Sequence, residues 1–146
     1  HIDGKKSVVI YSQKGTIKKL EVTMSINEMK EKKVWAVIGA TEDREKFGNR
    51  IFRRLLDRKK TVYPVNPKYP QVEGYTCYKS LAELPEKPEV LDMVIAPEYG
   101  RAYVDEALRL GIRNFWFQPG SHSPELLNYV REQGGVAVTA CVLVEL

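Results

Sequence analysis

Val34-Trp35-Ala36-Val37-Ile38-Gly39-Ala40-Thr41, continuing as Glu42-Asp43-Arg44-Glu45-Lys46-Phe47-Gly48-Asn49-Arg50, is the stretch that decides the fold of this chain. Five consecutive apolar residues suit a strand buried on both faces, as in parallel sheets. A polar loop bracketed by Gly39 and Gly48 follows. From Gly48 to Arg58, Ile51, Phe52, Leu55 and Leu56 share one helical face, and Arg50, Arg53 and Arg54 lie opposite. Strand, loop and amphipathic helix make the first part of a βαβ unit.

The same rhythm repeats downstream. Strands are expected at Thr61–Val65, Leu91–Ile95, Asn114–Phe117 and Val136–Thr139. Pro64 cannot donate to a ladder, so it marks a strand end. Ser80 is placed to cap a short helix over Leu81–Leu84 that Pro85 stops. A longer helix runs from about Tyr99 to Gly111, with Ala102, Val104, Ala107, Leu108 and Leu110 inward. Ser123-Pro124-Glu125 opens another, which Gly134-Gly135 ends. Spacings of this kind fit right-handed crossovers. The expected fold is α/β: a doubly wound, five-stranded, parallel Rossmann-type sheet in a single domain over residues 33–146, with a short N-terminal extension at 1–32. Within that extension, residues 7–11 and 16–24 around Ser12-Gln13-Lys14-Gly15 read equally as a hairpin or as a loose basic tail. A short helix at Asn27–Lys32 leads into the domain.

At 146 residues, 43% apolar and 29% charged, the composition is that of one globular domain. The net charge of +4 is unevenly placed. Residues 1–33 hold eight Lys against four acids, whereas residues 34–146 balance fifteen bases with fifteen acids. The main domain therefore has no overall attraction for a polyanion, which argues against nucleic acid. No apolar run approaches bilayer length, so no membrane partner is expected. Residues 1–6 are charged with no long apolar core behind them, unlike a signal peptide. Cys77 and Cys141 suggest neither a disulfide framework nor a zinc site. A cytoplasmic location is the expectation.

In an open parallel sheet, ligands bind beyond the C-terminal strand ends where strand order reverses. Four loops qualify: 39–48, 66–69, 96–98 and 117–122. The first has a glycine leaving a strand and another opening a helix, where free backbone N–H groups favour phosphate. Ordinary strand-to-helix turn chemistry is the alternative. Neither Gly-x-Gly-x-x-Gly nor a Walker pattern is present. An NAD site wants an acid after the second strand. Here Val65-Asn66-Pro67-Lys68 stands there, and Asn with Lys suits a phosphorylated ribose better than a free diol. Ala96-Pro97 offers a floor for an adenine or a structural turn, and Gln118-Pro119-Gly120 offers polar handles. His122 has no Ser, Asp or Cys constellation around it and reads as a structural or surface residue.

At these loops the chain resembles the small CoA-binding proteins, relatives of the N-terminal domain of the succinyl-CoA synthetase alpha subunit. Ala36–Thr41, Val65–Tyr69, Ala96-Pro97, Phe117–Gly120 and the tail with Cys141 carry the likeness, which spans about residues 33–146. The resemblance implies a domain holding coenzyme A or an acyl-CoA. It would put pyrophosphate at Thr41 and Gly48-Asn49-Arg50, and adenine with ribose phosphate near Val65–Lys68 and Ala96-Pro97. Pantetheine would then pass Gln118-Pro119-Gly120. Lys46 (beside Phe47), Arg50 and Lys68 are cations on the loops a triple anion needs, and Gly39 and Ala40 complete the site. The synthetase also needs a second domain with a phosphorylatable histidine, and that chemistry does not carry over. A binding module without catalysis, with room for a protein partner or self-association, is the first reading. The alternative is a small NAD(P)-dependent or acyl-CoA-transforming enzyme using Cys141, Cys77, His122 or Tyr99, none with a visible base.

Overall fold

A computed structural model describes residues 14–146. Its centre is β1 (Val34–Ile38), whose residues 35–38 are completely buried, as a strand covered on both faces requires. β1 lies between β2 (Thr61–Val65) and β5 (Val90–Met93), and β6 (Asn114–Phe117) and β7 (Val136–Thr139) continue the sheet beyond β5. All four pairings are parallel, in the order β2-β1-β5-β6-β7. Two further strands, β3 (Gln71–Val72) and β4 (Tyr75–Thr76), form a separate antiparallel hairpin.

Alternate residues of the strands feed two cores. Trp35, Val37, Trp116 and Val138 meet α1 (Lys14–Glu31), α2 (Phe47–Asp57) and α5 (Val142–Glu145) on one face. Ala36, Ile38, Leu91, Met93, Phe115 and Phe117 meet α3 (Pro97–Arg109) and α4 (Pro124–Glu132) on the other. The helices thus cover both faces, and the doubly wound architecture holds. Trp35 and Trp116 pack edge-on with centroids 5.5 Å apart. Their indole N–H groups donate to the carbonyls of Lys32 and Ala140, both at 2.9 Å.

Several local expectations need correction. Residues 16–24 belong to α1, not to a strand, and residues 7–11 lie outside the described part. Val22, Ile26 and Met29 explain why: at spacings of four and three they place one helical face against the sheet. The helix expected at Asn27–Lys32 is the end of α1. α3 begins at Pro97 rather than Tyr99, with proline in the first turn, where its missing N–H has no cost. Pro64 sits next to the end of β2, an edge strand. Ser80 does not cap the short 3₁₀ turn Leu81–Glu83. Glu106 of α3 does so instead, its two carboxylate oxygens accepting from the backbone N–H of Leu81 (3.0 Å) and Ala82 (3.1 Å).

One buried acid was not anticipated. Asp92 sits between Val37 and Trp116 in register, is completely buried, and neither carboxyl oxygen has a partner among the described residues. Burial pushes its carboxyl well above the usual range.

Candidate functional site

Beyond Ile38 the sheet divides. The Gly39 N–H donates to the Val65 carbonyl at 3.0 Å, while the Ile38 carbonyl accepts from Val94 N–H at 2.9 Å. The chains after β1 and β5 then turn to opposite faces, leaving a crevice at the reversal of strand order. A cleft of about 730 Å³ opens there, within the range of small-molecule sites. A second cavity, of about 510 Å³, lies at the opposite strand ends beside the close of α1, lined by Glu28, Glu31, Lys32, Lys33 and Glu89 among others. Parallel sheets do not place ligands at that end.

The walls of the cleft come from all four predicted loops. Of the residues named from the sequence, Gly39, Thr41, Lys46, Phe47, Gly48, Asn66, Lys68, Ala96, Gln118, Pro119 and Gly120 line it. Ala40 and Val65 do not, being fully buried in the core. Pro67 and Pro97 shape the turns without reaching the opening. Arg50 is exposed on the outer surface of α2, its guanidinium 5.1 Å from the Phe47 ring centroid. Glu45, Tyr69, Val94, Ile95, Ser121 and Cys141 also line the cleft. Glu45, Tyr69 and Ser121 fall within the predicted loops, and Tyr69 and Cys141 within the family likeness, whereas Val94 and Ile95 were expected as strand residues.

The bracketing glycines prove to serve the fold. A Cβ on Gly48 would stand 2.2 Å from the Gly39 carbonyl oxygen. One on Gly39, whose φ is +96°, would meet Ile95 Cγ2 and the Val94 carbonyl oxygen at 2.5 Å. Turn packing therefore accounts for both residues, and ligand approach is not needed to explain them. What remains open is the end of α2. Lys46, at its N-cap, has extended backbone and gives no side-chain cap, and no acid occupies the first turn. The N–H groups of Phe47 and Gly48 have no acceptor among the described residues, although those of Asn49 and Arg50 bond to the Lys46 carbonyl. An uncapped N-terminus of an eleven-residue helix thus meets the cleft, with the dipole favouring an anion. α3 also lacks a side-chain cap, but Glu98 stands in its first turn and opposes negative charge.

Side chains inside the loop are locked by one another. Asn49 is completely buried; its Nδ2 donates to the Thr41 carbonyl (2.9 Å) and to Glu73 (3.0 Å), and its Oδ1 accepts from Arg53 Nε (2.7 Å). It ties the loop together and does not face the cleft. Glu73, at the β3–β4 turn, also pairs with Arg44 at 3.2 Å, and its N–H donates to Glu42. The Asn49 hydrogen bond, helped by Arg44, holds the Glu73 carboxyl below its usual range. Asn66 is likewise engaged at both ends, donating to the Ala40 carbonyl (2.8 Å) and accepting from Lys68 N–H (2.9 Å). It therefore shapes the loop that carries Lys68. Thr41 Oγ1 is 2.8 Å from the Tyr69 hydroxyl. Among the described residues neither Lys46 nor Lys68 is paired with a carboxylate.

The other candidates are dispersed. Tyr99 is exposed and outside the cleft, and His122 is half-buried, with Nδ1 lacking a partner among the described residues. Cys77 is buried and its thiol donates weakly to the Asn66 carbonyl at 3.5 Å; burial pushes that thiol up. No cluster of His, Cys, Asp and Glu that could hold a metal occurs among the described residues. No helix there is long and apolar enough to cross a membrane.

Comparison with known proteins agrees with the fold. A conserved hypothetical protein of Pyrococcus furiosus is 36% identical, with a TM-score of 0.74 over 78% of this chain and 99% of that one. A hypothetical protein of Pyrococcus horikoshii is 31% identical, with a TM-score of 0.77 over 86% and 87%. The ADP-forming acetate–CoA ligase I of Archaeoglobus fulgidus is 39% identical over 77 residues, which are 53% of this chain but 11% of the ligase. The chain thus spans about a tenth of that curated relative. The family described as CoA binding domain matches residues 33–146, and the chain belongs to it.

Proposed function

We propose that the cleft binds coenzyme A or an acyl-CoA, with the pyrophosphate on the uncapped N-terminus of α2. That uncapped helix end, beside the unpaired Lys46 and Lys68, is the observation that carries the reading. Two free N–H groups and the helix dipole suit a diphosphate, and ammonium groups add point charges on either side. Lys68, after β2, is the cation for the ribose phosphate. Adenine lies against Ala96 and its neighbours, and the pantetheine arm crosses toward Gln118–Gly120. Glu45, the residue before the Lys46 N-cap, also lines the cleft and opposes an anion there, so the two free N–H groups and the lysines have to outweigh it. The reading is one of binding and assigns no reaction to the cleft. The module holds its ligand for another protein or for a further domain.

Calorimetric titration with CoA, dephospho-CoA and NAD tests this. The reading expects CoA to bind tightest and NAD weakest, because NAD lacks the ribose phosphate and meets no acid after β2. NAD binding as tightly as CoA would refute it.

A further inference from the structure

We infer that Cys141 is a covalent capture site for the thiol end of the ligand, taking up coenzyme A as a mixed disulfide. The inference rests on the binding reading above and extends it to the far end of the same cleft. Cys141 lines the cleft, is half-buried and is not in a disulfide. It follows β7, whereas Lys68 follows β2, so the cleft runs along four strand spacings, about 19 Å. With the phosphates on α2 behind β1, the ligand's tail crosses β5 and β6 to reach Cys141, about 14 Å.

The cleft floor beside Cys141 is built for a polar ligand. Gln118 is 4% exposed and Ser121 is 6% exposed, and both line the opening. Gln118 Oε1 accepts from the N–H of Val142, the residue after Cys141, at 3.2 Å. This fixes the carboxamide against the cysteine and leaves its NH₂ without an acceptor among the described residues. The Ser121 hydroxyl is also unpartnered there. Neither donor is among the fully sequestered unpartnered atoms, so both open into the cleft, where an amide carbonyl of the ligand's tail would accept from them. Ala140 N–H donates to the Phe117 carbonyl (3.1 Å) and Trp116 Nε1 to the Ala140 carbonyl, so the backbone at Cys141 is held in place.

The reaction is thiol–disulfide exchange with the disulfide of coenzyme A as co-reactant. The Cys141 thiolate attacks one sulfur, the S–S bond breaks, and a new S–S bond joins that sulfur to Cys141. The second CoA leaves as a thiolate and takes up the proton that Cys141 released, so no other oxidant is consumed. Binding of one CoA half in the cleft makes the attack effectively intramolecular. Cys77 is the internal control, because it is buried away from the cleft.

The test treats the whole chain with CoA disulfide or glutathione disulfide in mildly alkaline buffer and follows intact mass, with peptide mapping of the product. The expected result is one CoA adduct per chain on the Cys141 peptide, formed about tenfold or more faster than the glutathione adduct. No adduct, an adduct on Cys77, or equal rates for the two disulfides would overturn the inference. A parallel titration with reduced CoA under reductant separates the two readings. Reversible binding without an adduct removes only the capture site, while absent binding removes the binding reading itself.

Discussion

Replacing Gly48 with alanine tests why the loop has glycine there. The new Cβ would lie 2.2 Å from the Gly39 carbonyl oxygen, more than 1 Å inside ordinary contact at about 3.4 Å. A backbone carbonyl cannot rotate aside as a side chain can, so the turn or the first turn of α2 must move. Overpacking of this kind costs about 1–3 kcal/mol. For a domain of this size that lowers the melting temperature by roughly 3–12 °C. Gly120→Ala is the control: its φ is +90° but nothing lies within 4 Å of an added Cβ, so only the backbone term of about 1 kcal/mol applies. Because the displaced backbone includes the N–H groups of Phe47 and Gly48, CoA affinity should also fall about 10–100-fold, the equivalent of one charge-assisted hydrogen bond. Thermal melts by circular dichroism and calorimetric titration measure the two effects. A Gly48→Ala protein as stable as the parent would refute the packing argument, and a destabilised one with unchanged CoA affinity would refute the anion site.

Lys68→Ala should weaken CoA about tenfold or more while changing dephospho-CoA little; equal losses in paired titrations would move the ribose phosphate elsewhere. Asp92 gives a pH signature. Burial raises the pH at which its carboxyl ionises in the folded chain, whereas in the unfolded chain it ionises near pH 4. The folded state therefore binds the extra proton above that pH, and stability falls with rising pH, by up to about 1.4 kcal/mol per unit, until the folded group itself ionises. Asp92→Asn should flatten this slope in denaturant melts across mildly acidic to alkaline pH, and identical slopes would contradict the assignment. Asn49→Ala leaves the Thr41 carbonyl, Glu73 and Arg53 without a shared partner, and should lower unfolding free energy by about 2–3 kcal/mol; a loss below about 0.5 kcal/mol would show the network to be incidental.

The five sheet strands were legible because each is a short apolar run between turn residues, and burial on both faces leaves no other use for such a run. The loops that form the cleft followed from that pattern and the strand-end rule alone. The mistaken hairpin at 16–24 shows the limit. Ile17, Leu20, Val22 and Met24 suit a strand locally, and the helical face at Val22, Ile26 and Met29 becomes visible only when the sheet it covers is present. The β3–β4 hairpin was missed because its strands are two residues long. Its signal was Glu73-Gly74, where both residues have positive φ, as tight hairpin turns require. Individual side-chain roles were the least legible. Asn49 and Asn66 have the chemistry of ligand-binding residues, yet their partners lie at sequence distances that no local pattern records.

The most direct test of the anion site is an amide-resolved NMR titration of the ¹⁵N-labelled chain with CoA. The N–H signals of Phe47 and Gly48 should move the most and downfield, as new hydrogen bonds to phosphate form, with further shifts at Lys68 and Gln118–Ser121. Residues around the opposite cavity, Glu28, Lys33 and Asn114, should stay in place. Shifts concentrated at that opposite end, or none at Phe47 and Gly48 when CoA is saturating, would contradict the account.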